Sequence, residues 1–126
     1  MPAADPTDLV VSFYTRSFND AEPEAAAAEA LGDTYAQHNP GAPDGAAAFI
    51  GYVHTMRERY PQLQLEVKRT ISDGEYVWTH SRITLAPGHR GLAVADIWRV
   101  ADGRIVEHWD VIQEVPEQAA NANTMF

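Results

Sequence analysis

The 126-residue sequence contains no cysteine. That excludes a disulfide framework, a zinc–thiolate centre and a cysteine nucleophile. It is also short of positive charge. Only 9 lysines and arginines stand against 18 aspartates and glutamates, a formal net charge of −9. Nucleic acid and anionic membrane surfaces both favour a basic patch, so neither is an expected partner. No apolar run approaches the roughly 20 residues of a membrane span. The first residues, MPAADPTD, lack the basic and apolar segments of a signal peptide. A soluble, cytoplasmic protein is therefore expected. There is no GxGxxG, no GxSxG and no HExxH, which leaves nucleotide-dependent chemistry, serine hydrolysis and zinc proteolysis without support.

What is present fits one domain spanning 1–126, long enough to bury a core without a metal or a disulfide. Asp5-Pro6-Thr7-Asp8 is a helix start, and Leu9, Val10, Phe13 and Tyr14 recur at helical spacing, so a helix is expected over about 6–18. A second runs from Pro23 through an alanine run to Leu31, with Gly32 as its C-terminal cap. Residues 34–38 read as a short strand ending at Asn39-Pro40-Gly41. Pro43-Asp44-Gly45 opens a third helix, whose stripe is Phe49, Val53, Met56 and Tyr60, and Pro61 stops it. From Leu63 the period changes to two. Four strands follow, separated by turns at Asp73-Gly74, Pro87–Arg90 and Asp102-Gly103. Helices first and an antiparallel meander second predict an α+β fold with helices across one sheet face.

The stretch Leu92–Val115 carries the functional question, because it sets Asp96 in the middle of an apolar strand. Counting outward from each turn gives a register. Asp102-Gly103 pairs Asp96 with Trp109, Val94 with Val111 and Val100 with Ile105. Asp73-Gly74 pairs His80 with Val67 and Trp78 with Arg69, and a turn centred near Gly88 brings His80 opposite Asp96. Alternation then puts Tyr76, Trp78, His80, Asp96, Trp98 and Trp109 on the face under the helices. The expected site is an aromatic pocket with an Asp96–His80 pair at its floor. It is suited to holding or passing a proton, with Trp78, Trp98, Trp109 and Met56 among its walls. The alternative for the pair is a buried hydrogen bond with no chemistry. Tyr35 and His38 are placed at the mouth, although Gln37-His38-Asn39-Pro40 also reads as plain turn chemistry. His108 and Asp110 fall on the opposite face by this count. No third ligand is evident there, so no metal is expected, and that face suits packing against a second subunit.

The motifs YAQHNPGAPDG at 35–45, VADIWRVADGRIVEHWDVIQEVP at 94–116 and NANTMF at the end resemble the SnoaL-like proteins of the NTF2-like superfamily. The resemblance is to the branch described as polyketide-cyclase or aldol-condensation enzymes. It implies a cone-shaped, mostly antiparallel curved sheet wrapped by three helices. It also implies a homodimer built on the sheet's outer face, and no cofactor or metal. An acid matching Asp96 would serve as general acid/base in an intramolecular aldol closure of a small apolar or polyketide-like ligand, with His80 matched by placement. Two other functions belong to the same superfamily. One is a non-catalytic module that binds a small ligand or dimerises. The other is an epoxide hydrolase, for which Glu107 and Arg82 are the further candidates.

Overall fold

A computed structural model describes residues 5–126. Helix α1 (Pro6–Phe18) begins as its sequence dictates: the Asp5 side chain accepts from the Thr7 amide at 2.8 Å, and Pro6 takes a position that needs no N–H partner. It buries Val10, Phe13, Tyr14 and Phe18. Helix α2 (Pro23–Ala30) buries Ala26, Ala27 and Ala30, small residues that let it lie close to its neighbours. It ends before Leu31, which already belongs to strand β1 (Leu31–Gln37). Gly32 is therefore a strand residue and not the expected helix cap. A Cβ there would stand 3.0 Å from Val106 Cγ1, so close strand contact accounts for the glycine. Helix α3 (Ala46–Arg59) buries Phe49 and Val53. Among the described residues no helix is long and apolar enough to cross a membrane.

Strands β2 (Gln64–Asp73), β3 (Tyr76–Thr84), β4 (Leu92–Ala101) and β5 (Arg104–Glu114) form the expected meander. β1 adds to its far edge, parallel to β5, giving the order β1-β5-β4-β3-β2. The helices cover one face. Leu65, Val77, Ile83, Val94, Trp98, Val100 and Ile105 from the sheet meet Phe13, Tyr14, Phe18, Phe49 and Val53 there. Trp98 sits centrally, edge-on to Phe13 and Tyr14.

Turn counting fails within the strands. Val100 does pair with Ile105, but the next pair is Arg99 with Glu107. Val106 is an extra residue, a β-bulge, and beyond it every partner moves by one. Asp96 thus pairs with Asp110, Trp98 with His108 and Ile97 with Trp109. Between β3 and β4, Asp96 faces Thr79, and His80 faces Ala95. The first hairpin turns at Gly74-Glu75, pairing Ile71 with Trp78 and Arg69 with His80. A second register shift at Lys68 returns Val67 to Ser81. Because side chains alternate, each one-residue slip exchanges the faces. The inner face carries Thr79, Asp96, Trp98, His108 and Asp110. The outer face carries Tyr76, Trp78, His80, Ile97 and Trp109.

Candidate active site

Five side chains meet on the inner face. β4 supplies Asp96, 1% exposed, and β5 supplies His108, 5% exposed. Asp110 lies two residues farther along β5. The edge strand β1 ends in Gln37, and Asn39 follows it. Parallel pairing sets Gln37 beside His108, and the His38 amide donates to the His108 carbonyl at 2.9 Å. Gln37 and Asn39 therefore reach inward together, while His38 between them points outward.

The hydrogen bonds fix where the protons are. The Asn39 amide donates to Gln37 Oε1 at 3.0 Å, which identifies that atom as oxygen. His108 Nδ1, 2.8 Å from the same Oε1, must be the donor and carries a hydrogen. On the other side Trp98 Nε1–H donates to Thr79 Oγ1 at 3.1 Å, and the Thr79 hydroxyl donates to Asp96 Oδ2 at 3.1 Å. The Tyr14 phenol also interacts with the Asp96 carboxyl, and Asp96 Oδ1 meets His108 Nε2 at 2.8 Å. A bare imidazole nitrogen against a bare carboxylate oxygen would be repulsive, so one proton lies between them. It rests on Nε2 with Asp96 ionised, or on Oδ1 with His108 neutral. Asp110 stands 3.9 Å from Nε2 and accepts from Asn39 Nδ2 at 2.9 and 3.1 Å. The Asn39 Oδ1 accepts in turn from the Gly41 amide at 2.7 Å, which locks that amide's orientation.

Burial pushes the Asp96 carboxyl above its ordinary range, and the His108 contact only partly opposes it. The phenols of Tyr14, Tyr35 and Tyr52 are raised chiefly by burial, with further contributions from the charges of Asp96 and Asp110. These groups border a cavity of about 60 Å³ walled by Phe18, Phe49, Ile83, Val94 and Trp98. A single water needs roughly 10–15 Å³ measured this way, so the space takes a small ligand or the reacting part of a larger one. Its rim is made by Ala42, Pro43, Tyr52 and Ile112. Tyr52 and Ile112 are 40% and 43% exposed.

The family model of the SnoaL-like domain matches residues 10–108. The chain belongs to the SnoaL-like family. Its fold is shared with TsrD from Streptomyces laurentii, at 15% identity over 89% of this chain and 91% of that one, with a TM-score of 0.74. A proposed polyketide cyclase from Acidithiobacillus ferrooxidans gives 18% identity, 89% and 91% coverage and a TM-score of 0.73. AclR from Streptomyces galilaeus, described as a proposed hydroxylase, gives 20%, 90%, 81% and 0.69. Likeness at these identities establishes the NTF2-like α+β architecture and no particular reaction. No curated protein matches the sequence.

Several residues expected in this SnoaL-like pocket lie elsewhere. Trp98 and Asp96 line the cavity, and so does Tyr35, which is 3% exposed and lies in its wall and not at its mouth. His80 does not meet Asp96: it faces out, in contact with Arg69 and stacked near Phe126. The slip between β3 and β4 is the cause. Trp78 and Trp109 are outer-face residues beside Tyr76 and Ile97, around a shallow surface hollow. Met56 packs against the core and does not reach the cavity. His38 stacks on Trp109 at 4.7 Å, and its Nε2 meets Glu107 Oε2 at 2.7 Å; Arg99 holds the other Glu107 oxygen at 2.8 Å. Conversely, His108 and Asp110, expected on the outside, are central. With Asp96 they place three potential metal-ligand atoms within 4.8 Å of one another, so the third group that sequence reasoning lacked is Asp96. Gln37, Asn39, Thr79 and Tyr14 were not anticipated as site residues. The Gln37-His38-Asn39 triplet, alternating in and out at the end of an edge strand, was the available signal for two of them.

Proposed function

We propose that this protein is a cofactor-independent acid/base enzyme acting on a carbonyl compound, with Asp96 and His108 as its proton-transfer unit. The observation that carries the reading is the 2.8 Å contact between Asp96 Oδ1 and His108 Nε2 inside a buried hydrogen-bond network. His108 takes the role expected of His80. An intramolecular aldol closure uses such a unit without changing its proton count. Asp96 as carboxylate removes a proton from the carbon next to a carbonyl, and the resulting carbon nucleophile forms a C–C bond to a second carbonyl. The new alkoxide takes the proton from His108 Nε2. Asp96 is then protonated and His108 neutral, and transfer from Oδ1 to Nε2 restores the starting state. Apolar walls would hold the two carbonyls together, a proximity effect. Asp110, held by Asn39, lines the cavity beside the Asp96–His108 pair.

Epoxide opening is the second reading, favoured by the pairing of two carboxylates, Asp96 and Asp110, across one site. Among the described residues no arginine lines the cavity, and Glu107 contacts His38 and Arg99 on the outer side, which supports aldol-type chemistry over it. A homodimer through the outer face is part of the same proposal: Ile71, Tyr76, Trp78 and Val111 are exposed there, at 72%, 41%, 51% and 72%.

The test needs no knowledge of the natural substrate. In D2O, NMR follows deuterium entering the α-positions of small cyclic ketones. Wild type should accelerate exchange, and Asp96→Asn should lose about 100-fold or more of that acceleration with its fold intact. Undiminished exchange in Asp96→Asn overturns the assignment. Ligand binding without any exchange in wild type would favour the non-catalytic module instead.

A further inference from the structure

The charges lining the cavity do not balance. Among the described residues Asp96, His108 and Asp110 face it, and no lysine or arginine does. With one proton between them, Asp96 and His108 are neutral as a pair. That leaves a second carboxyl group, Asp110, whose side chain is only 10% exposed and accepts from the uncharged amide of Asn39. A carboxylate so buried is costly without a cation. Much of the remaining wall is aromatic: Tyr14, Tyr35, Tyr52, Phe49 and Trp98. Ring faces present negative potential, and rings combined with a carboxylate are the surroundings that hold an organic cation. The same negative field adds to the upward push on the three phenols.

We propose that the pocket selects a ligand carrying an organic cation, an ammonium or iminium group seated against Asp110, with its carbon skeleton along the aromatic wall. This deepens the acid/base reading by naming its substrate class, and rests on that reading for the chemistry that follows binding. A positive charge near the reacting carbon offsets Asp110 and acidifies the C–H bond that Asp96 is to break. An anionic ligand would meet repulsion from Asp110. A divalent metal ion is the other source of positive charge. It would have to displace the proton that His108 Nε2 shares with Asp96.

The experiment compares three probes of similar size: isobutylamine, isobutyl alcohol and isobutyrate, titrated at neutral pH while the Trp98 indole and His108 ring signals are followed by NMR. Isobutylammonium should bind about tenfold more tightly than the alcohol, and isobutyrate more weakly than either. Asp110→Asn should bring the amine to within about twofold of the alcohol. Isobutyrate binding as well as the amine, a preference that survives Asp110→Asn, or no binding by any probe overturns the proposal. A parallel titration with MnCl2 separates the two cation sources: Mn²⁺ binding tighter than the amine replaces the organic cation with a metal. The ketone-exchange experiment reads proton transfer without reference to ligand charge, so either idea can fail alone.

Discussion

The two faces of one sheet carry nearly the same chemical vocabulary in different surroundings. Inside, Asp96 meets His108 at 2.8 Å with side chains 1% and 7% exposed; outside, Glu107 meets His38 at 2.7 Å with side chains 20% and 45% exposed. The distances are alike and the consequences differ. Burial lifts the Asp96 carboxyl, whereas the solvated His38 contact, with Arg99 second, lowers that of Glu107. The same applies to tryptophan. Trp98 is 1% exposed and packed among rings, and Trp78 is 51% exposed. Residue type does not assign the role. The face does, and a single inserted residue sets the face.

Deleting Val106 is the most severe test of that statement. Without the bulge, β5 must either change faces from Glu107 onward or lose its pairing with β4. Cooperative unfolding should disappear, as read by circular dichroism and by collapse of amide dispersion in NMR. A well-folded deletion variant would mean that the bulge does not set the faces. The next largest contrast is between the two tryptophans. Trp98→Ala should cost about 3–5 kcal/mol in denaturant unfolding. Trp78→Ala should change stability by about 0.5 kcal/mol or less in the isolated chain. If the outer face forms a dimer, the Trp78 variant also shifts the oligomeric state, visible by analytical ultracentrifugation.

Much of this architecture was legible beforehand. Asp5-Pro6 marks the start of α1, the Phe49–Val53 stripe marks α3, and the change to period two after Pro61 marks the sheet. The aldol-branch motifs pointed to the family that the SnoaL-like match establishes. Asp96 stood out as an acid in an apolar strand. The bulges were not legible, for a physical reason. Val106 and Lys68 are ordinary strand residues, and no glycine or proline announces the extra position. Hydrophobic alternation could not correct the count either. The outer face carries Ile71, Trp78, Trp109 and Val111, so both faces read as apolar. The uncounted Val106 puts His108 on the wrong side, and a one-residue misplacement of the turn between β3 and β4 puts His80 opposite Asp96.

Asp96→Asn sharpens the comparison through pH. The folded carboxyl is raised above its unfolded value, so its contribution favours the fold below the unfolded pKa and is lost as pH rises through the folded pKa. At neutral pH the group therefore costs stability. Asparagine can accept from Thr79 and donate to a neutral His108, so the network survives. Asp96→Asn should raise the thermal midpoint at neutral pH and flatten the decline in stability from mildly acidic to neutral conditions. Calorimetry across that range measures it, and a lowered midpoint with an unchanged slope would contradict the buried-acid account.

The outer pair should give the smallest effect with the opposite sign. The folded carboxyl of Glu107 is lowered, so its contribution is present above the unfolded pKa of roughly 4.3 and is lost as pH falls through the folded value. Because the group is largely solvated, the stability change should be small. The local effect is more informative. His38 lies between Gln37 and Asn39, whose side chains hold His108 and Asp110. Its stack on Trp109 and its bond to Glu107 fasten that triplet from outside. His38→Ala should leave the unfolding midpoint within about 0.5 kcal/mol of wild type. It should also speed hydrogen exchange of the Asn39 amide, which depends on Gln37. In wild type the same acceleration should appear as pH falls through the folded pKa of Glu107, after correction for intrinsic exchange. If His38→Ala leaves that amide as protected as before, the outer cluster is only a solvated surface pair. If protection falls, the two faces are mechanically joined through three residues, and the outer histidine supports the inner one without touching the cavity.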